Sequence, residues 1–185
     1  LADGHSPDRI LSEALVAGMD VVGQKFKSGE LFLPEVMVVA RAMHAGLAIL
    51  RPKLAETGAE PAGKVVIGTV QGDLHDIGKN MVATMLRGVG FEIRDAGVNV
   101  ASEEFVRQVE EYQPQILGMS ALLTTTMPEM KKVIDALTAK GLKESVKVIV
   151  GGAPVNEKFA NDIGADGYAY DAPGAAQKCR EVLSE

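Results

Sequence analysis

The 185-residue sequence contains no tryptophan and a single cysteine, Cys179, and aromatic residues make up only 4% of it. One thiol excludes an internal disulfide framework and any metal site built from several cysteines, and it suits a reducing, cytoplasmic compartment. Rings are scarce and the charge balance is acidic, with 19 Lys and Arg against 25 Asp and Glu, a formal net charge of −6. Both features argue against nucleic-acid binding through phosphate neutralisation or base stacking. No uninterrupted apolar run approaches the roughly 18 residues of a membrane span, and no signal peptide is visible. The phosphate-binding patterns G-x-G-x-x-G and Gly-Lys-Ser/Thr are also missing. What is abundant is apolar content, at 46%, and glycine, 20 residues or about 11% against the usual ~7%. The length suits one ordinary domain, or one domain with a small appendage.

Two textures follow one another along the chain. Residues 1–54 read as a helical unit. Ser6-Pro7 supplies an N-cap followed by proline at the first helical position. Ile10, Leu11, Ala14, Leu15, Val22 and Phe26 then recur at helical spacing until Ser28-Gly29 stops the run. Leu33-Pro34 opens a second helix through Val36, Met37, Ala40, Met43, Leu47 and Leu50, which Pro52 is expected to close. The opening Leu1-Ala-Asp-Gly4 reads as the tail of a helix whose body precedes it, so the cap is expected to lack its first helix. Residues 55–63, small and polar with Gly and Pro, read as a linker.

Residues 64–185 alternate strand and helix. Strands are expected at Lys64–Val70, Phe91–Asp95, Ile116–Met119, Val146–Val150 and Tyr168–Tyr170. Helices are expected from about Gly78 and over Glu103–Tyr112, Pro128–Ala139, Asn156–Asp162 and Ala172–Leu183. Such alternation implies an α/β fold with a five-stranded parallel sheet covered on both faces. Ligands then bind beyond the carboxyl ends of the strands, near the switch point of the strand order.

Four loops fall on that rim: Gln71–Asn80, Ser120–Pro128, Gly151–Pro154 and Asp171–Gly174. In the first, Asp73 and His75 stand two apart. A carboxylate on one imidazole nitrogen fixes the tautomer and raises the basicity of the other, as for a metal-bound histidine. Glycines at 72, 78, 151 and 152 allow a bulky ligand close to the backbone. Each feature taken alone has a plainer alternative. The His-Asp pair also reads as a surface pair, Gly151-Gly152 as a tight turn, and the hydroxyls of Ser120–Thr126 as helix caps.

Taken together, Asp73-x-His75-x-x-Gly78, Ser120-x-Leu122 and Gly151-Gly152 resemble the cobalamin-binding domain of methionine synthase and of the corrinoid proteins of methyltransferase systems. The stretch Val22–Val36, with its F-x-x-G and L-P-E-V sequences, resembles the helical cap of the same proteins, so the likeness spans nearly the whole chain. The resemblance implies a flavodoxin-like (Rossmann-like) cobalamin domain preceded by a small helical-bundle cap. It also implies that His75 is the metal ligand, binding the cobalt of cobalamin from below in place of the cofactor's own base. Asp73 would hydrogen-bond the far ring nitrogen, and Thr126 would continue the relay where methionine synthase has a serine. Gly72, Leu74, Asp76, Ile77, Gly78, Ser120, Leu122, Thr124, Gly151, Gly152, Tyr168 and Ala172 would join Asp73 and His75 around the cofactor.

By the same resemblance the chain is a methyl carrier with no catalytic domain of its own. Methylcobalamin would be charged by a substrate-specific methyltransferase and discharged by a second methyltransferase, with a reductive activase as a further partner, and without nucleic acid or membrane. Rival functions are a cobalamin-binding sensor or regulator, which requires a DNA-binding element not visible here, a mutase small subunit, which lacks this cap, and a cobalamin-free signalling domain. His5, His44, Cys179, the Lys131-Lys132 and Glu103-Glu104 pairs, and most methionines, Met37 and Met43 among them, read as packing or surface residues.

Overall fold

The run Lys64–Val70 is too apolar and β-branched for a surface strand. In the computed structural model, which describes residue 1 and residues 4–57 and 61–184, it forms β1 and is buried from Val65 onward. It is joined by β2 (Glu92–Val100), β3 (Ile116–Ser120), β4 (Lys147–Gly151) and β5 (Gly167–Ala169) in one sheet of order β2-β1-β3-β4-β5. Every pairing is parallel. The order reverses between β1 and β3, so the loops leaving these two neighbouring strands diverge to opposite faces and leave a crevice between them.

The helices α4 (Ile77–Gly88), α5 (Ser102–Tyr112), α6 (Pro128–Ala139), α7 (Glu157–Ile163) and α8 (Ala172–Ser184) divide between the two faces. On one face α5, α6 and α7 cover Val66, Val70, Leu117, Val148 and Val150. On the other, α4 and α8 cover Val65, Ile116 and Ile149. Phe105 of α5, fully buried, lies where a side chain at Gly68 of β1 would need to be, 2.7 Å from its Cβ position, so the glycine is required by the chain's own packing.

The helical unit begins with α1 (Pro7–Ile10), capped by Ser6 as expected. It continues through a π-helical stretch, Leu11–Val16, into α2 (Ala17–Lys27). The widened turn was not foreseen; within it Leu15 packs on Gly46 of α3 (Leu33–Thr57). Met19 and Val22 of α2 join Val36, Met43 and Leu47 of α3 in the same core cluster as Met85, Leu86, Ala172 and Ala176. This cap therefore sits on the α4–α8 side of the sheet.

Three expectations change. Pro52 does not close α3, which continues to Thr57. A proline removes one intrahelical donor and crowds the carbonyl four residues earlier, and an exposed site near a helix end tolerates both. The expected linker is correspondingly shorter. Its residues 58–60 lie outside the described residues, as do residues 2 and 3 of the expected helix tail and residue 185. Secondly, the 22 residues Leu33–Leu54 contain an 18-residue window of mean hydropathy 1.5, long and apolar enough to cross a bilayer. It is not an uninterrupted apolar run, because Glu35, Arg41 and Arg51 break the sequence. Here its buried stripe packs on the chain's own α2 and α4. Finally, β2 extends five residues beyond Asp95, through two irregularities in its register with β1.

Replacing Phe105 with Ala removes a fully buried ring and should lower the unfolding free energy by about 3–5 kcal/mol. Urea denaturation checks this; a loss below about 1 kcal/mol would contradict the packing described.

Candidate functional site

The β1–α4 loop is held from below at every turn. The buried Thr69 hydroxyl donates to the carbonyl of His75 (2.9 Å), and the Asp73 amide donates to the Val70 carbonyl (3.2 Å). Gly72 has φ +80°, a left-handed conformation in which glycine is unstrained. From the extension of β2 comes Asn99, itself at φ +53°. Its side-chain oxygen accepts from the Gly72 amide (2.7 Å), and its own amide donates to the Asp73 carbonyl (3.0 Å). Asn99 is thus a two-point clamp on the segment that carries Asp73 and His75. Sequence reading missed it because β2 was expected to end at Asp95; Gly97-Val-Asn99, with its turn-forming residues, was the available signal.

Asp73 is fully buried, and its carboxylate accepts five hydrogen bonds. Oδ1 takes the His75 Nδ1–H (2.7 Å) and the His75 amide (3.1 Å). Oδ2 takes the amides of Leu122 (2.8 Å) and Leu123 (3.2 Å) and faces the Thr126 hydroxyl at 2.8 Å. That hydroxyl also lies 2.9 Å from the Leu123 carbonyl; its one proton serves one acceptor at a time, and the ionised carboxylate is the stronger. Burial alone would raise the Asp73 carboxyl, but the bonds from His75, Leu122 and Thr126 outweigh it and hold the group well below the usual carboxylate range. An ionised Asp73 only accepts, so Nδ1 of His75 must carry the proton. The lone pair is then on Nε2, at the exposed end of a ring that is half in solvent.

The carboxylate bridges the two loops that diverge at the switch point, the β1–α4 loop and the β3–α6 loop. Around His75 the same edge of the sheet carries exposed apolar side chains, with Leu74 and Ile77 each more than 70% exposed, then Leu122, Leu123 and Tyr170. Thr124 is exposed beside them. Asp76 accepts from Asn80 (3.0 Å) at the start of α4.

Next to this rim a cavity of about 200 Å³ descends between the sheet and helices α4 and α8. Of the residues anticipated around a cofactor, Gly78, Ser120, Gly151, Gly152 and Ala172 line it. Gly72, Asp73, Leu74, His75, Asp76, Ile77, Leu122, Thr124 and Tyr168 do not, although Ala169 and Tyr170, which follow Tyr168, extend the wall. A Cβ at Gly78 would point into open space, whereas one at Gly152 (φ +128°) would lie 1.9 Å from the Ala121 carbonyl oxygen. Gly152 is therefore required by the backbone turn itself. Cys179 closes the cavity floor, its thiol pushed up to about 12 by burial. Lys79, also on the wall and almost fully buried, is neutralised by both oxygens of Asp95 (2.7 and 2.6 Å) and reaches Asn80 (2.9 Å). A lysine in the first turn of a helix reads as a surface residue, so neither member of this pair was foreseen. Of the cap methionines, Met43 is core and Met37 is exposed.

The donor set suits a corrinoid. An imidazole with one free, outward nitrogen can serve as a metal ligand, the apolar rim suits a flat macrocycle, and the deep cavity suits an extended tail. Comparison with known proteins agrees. Residues 63–177 match the family described as B12 binding domain, and residues 1–51 match a second family of the same description. A corrinoid protein of Desulfitobacterium hafniense is 45% identical over 178 residues, 95% of this chain and 82% of the relative. Dimethylamine corrinoid protein 1 of Methanosarcina acetivorans is 46% identical over 179 residues, 96% and 84% respectively. Among solved structures, the methanol:cobalamin methyltransferase complex of Methanosarcina barkeri contains a chain with a TM-score of 0.82 and 35% identity, covering 96% of this chain and 68% of that one.

An Asp73→Asn variant keeps the shape but places an NH2 where donors converge. It should cost about 2–3 kcal/mol at neutral pH. The depressed carboxyl contributes stability above its ordinary pKa and loses it as the pH falls toward the lowered one. The variant should accordingly show a flatter decline in stability below about pH 4 than the parent; acid titration of the unfolding midpoint checks this, and parallel slopes would contradict it.

Proposed function

The chain belongs to the corrinoid proteins built on a B12-binding domain, and on that premise we propose that it is a methyl carrier that binds cobalamin with His75 as the lower axial ligand. The observation that carries the proposal is the His75–Asp73 pair, whose buried and fully bonded carboxylate leaves Nε2 as the only outward-facing lone pair of the ring. When bound, cobalamin supplies the group-transfer chemistry, its cobalt accepting a methyl group from one donor and releasing it to another acceptor.

The protein's part is positioning and proton control. Asp73 keeps the proton on Nδ1 and so raises the donor strength of Nε2. Thr126, at Oδ2, sets how strongly Asp73 responds and is the relay's last member. Gly72, Leu74, Asp76, Ile77, Leu122 and Thr124 frame the macrocycle edge. Gly78, Ser120, Gly151, Gly152, Tyr168 and Ala172 accommodate the tail in and beside the cavity. The helical unit that ends with α3 acts as a cap over the methyl-bearing face, joined by the shortened linker after Thr57 to the cofactor domain of 64–185.

A carrier needs a loading and an unloading enzyme. We assign these roles to a substrate-specific methyltransferase and a second methyltransferase, with a reductive activase to rescue oxidised cofactor, all in the cytoplasm. The relative named for dimethylamine favours a methylamine as the methyl source.

Mixing the protein with hydroxocobalamin and desalting should leave one corrin per chain. The reduced holoprotein should then become methylated with a methylamine methyltransferase and its donor, and demethylated by the acceptor enzyme. A stable holoprotein that no methyltransferase pair can load or unload would contradict the carrier role and favour a sensor.

A further inference from the structure

Away from the cofactor rim, the seam between cap and α/β domain contains a second concentration of polar chemistry. Among the described residues, His44 Nε2 is a fully buried side-chain atom with no hydrogen-bond partner. Buried polar atoms are seldom left so, because an unmade bond costs about 1–3 kcal/mol. His44 lines a solvent-open cavity of about 280 Å³ together with Leu47, Ala48 and Arg51 of α3 and Arg87 of α4. Neither guanidinium has a carboxylate partner among the described residues. Most other basic side chains of this acidic protein are paired, as Arg9, Arg107, Lys131 and Arg180 are. Burial and then the charges of Arg87 and Arg51 lower the His44 pKa, so the imidazole is neutral at pH 7. A neutral imidazole retains one N–H, which an acceptor seated against the ring can take.

We propose that His44, Arg51 and Arg87 form an anion site for a phosphate group. Two planar guanidinium forks on the wall of one cavity, with an imidazole beside them, are donors without acceptors. A tetrahedral oxyanion supplies several acceptors at once and matches the bidentate geometry of arginine. The ligand is either free inorganic phosphate or the phosphate monoester of a small metabolite. Because His44 and Arg51 belong to the cap and Arg87 to the cofactor domain, the bound anion bridges the two and fastens the cap.

The test is a titration of the full chain, at chloride-matched ionic strength, with inorganic phosphate and separately with glycerol phosphate, following the His44 ring resonances. The expected result is a saturable shift at millimolar concentrations. Arg51→Gln and Arg87→Gln should each weaken binding about tenfold or more, and Arg41→Gln, on α3 but outside the cavity, should leave it unchanged. Tighter binding of the monoester identifies a metabolite as the source, and equal or weaker binding identifies free phosphate. No saturable shift with either probe, or an undiminished shift in both arginine variants, would overturn the site.

Discussion

The buried carboxylate of Asp73 is the constraint on which the site depends. A charge removed from water needs a full complement of donors, and this one obtains them from His75 in the β1–α4 loop and from Leu122, Leu123 and Thr126 in the β3–α6 loop. The requirement ties together two loops that the strand order would otherwise send apart. It also determines the protonation of His75, because an acceptor-only neighbour leaves Nδ1 no choice but to donate. The electrostatics of burial therefore set the loop geometry, the loop geometry sets the tautomer, and the tautomer decides which nitrogen a metal can use.

The surrounding elements answer to the same need. Thr69 and Asn99 hold the backbone on either side of Asp73. The irregular end of β2 exists where Asn99 must reach back toward Gly72. Lys79 and Asp95 neutralise each other beside the cavity, so this buried pair adds no net charge to the site. An apolar rim then surrounds a single polar anchor, an arrangement that favours a large flat ligand held at one point.

Much of this was legible in the residues. The parallel α/β order followed from buried strands alternating with helices, and the position of His75 on the rim followed from a loop placed directly after the first strand. Thr126 was legible through the resemblance to methionine synthase, which has a serine at the equivalent position. What escaped depended on contacts between segments distant in sequence. Asn99 clamps residue 72 across 27 positions, and no local pattern announces such a contact. Lys79 of α4 is buried only because Asp95 meets it from β2. Pro52 looked like a stop because local propensity outweighs context in a sequence, whereas in the fold α3 continues past it. The His44–Arg51–Arg87 seam likewise joins two units that a sequence presents separately.

The account stands most directly on whether His75 Nε2 is the nitrogen below the cobalt. With the holoprotein reduced by one electron, the electron paramagnetic resonance spectrum resolves the splitting from a single axial nitrogen. Protein grown with 15N-histidine and loaded with unlabelled cofactor should show that splitting change from triplets to doublets, and the His75→Ala protein should lack it. Triplets that persist in the labelled protein would mean that the cofactor's own base is the lower ligand, and would contradict the role assigned to His75 and to the carboxylate behind it.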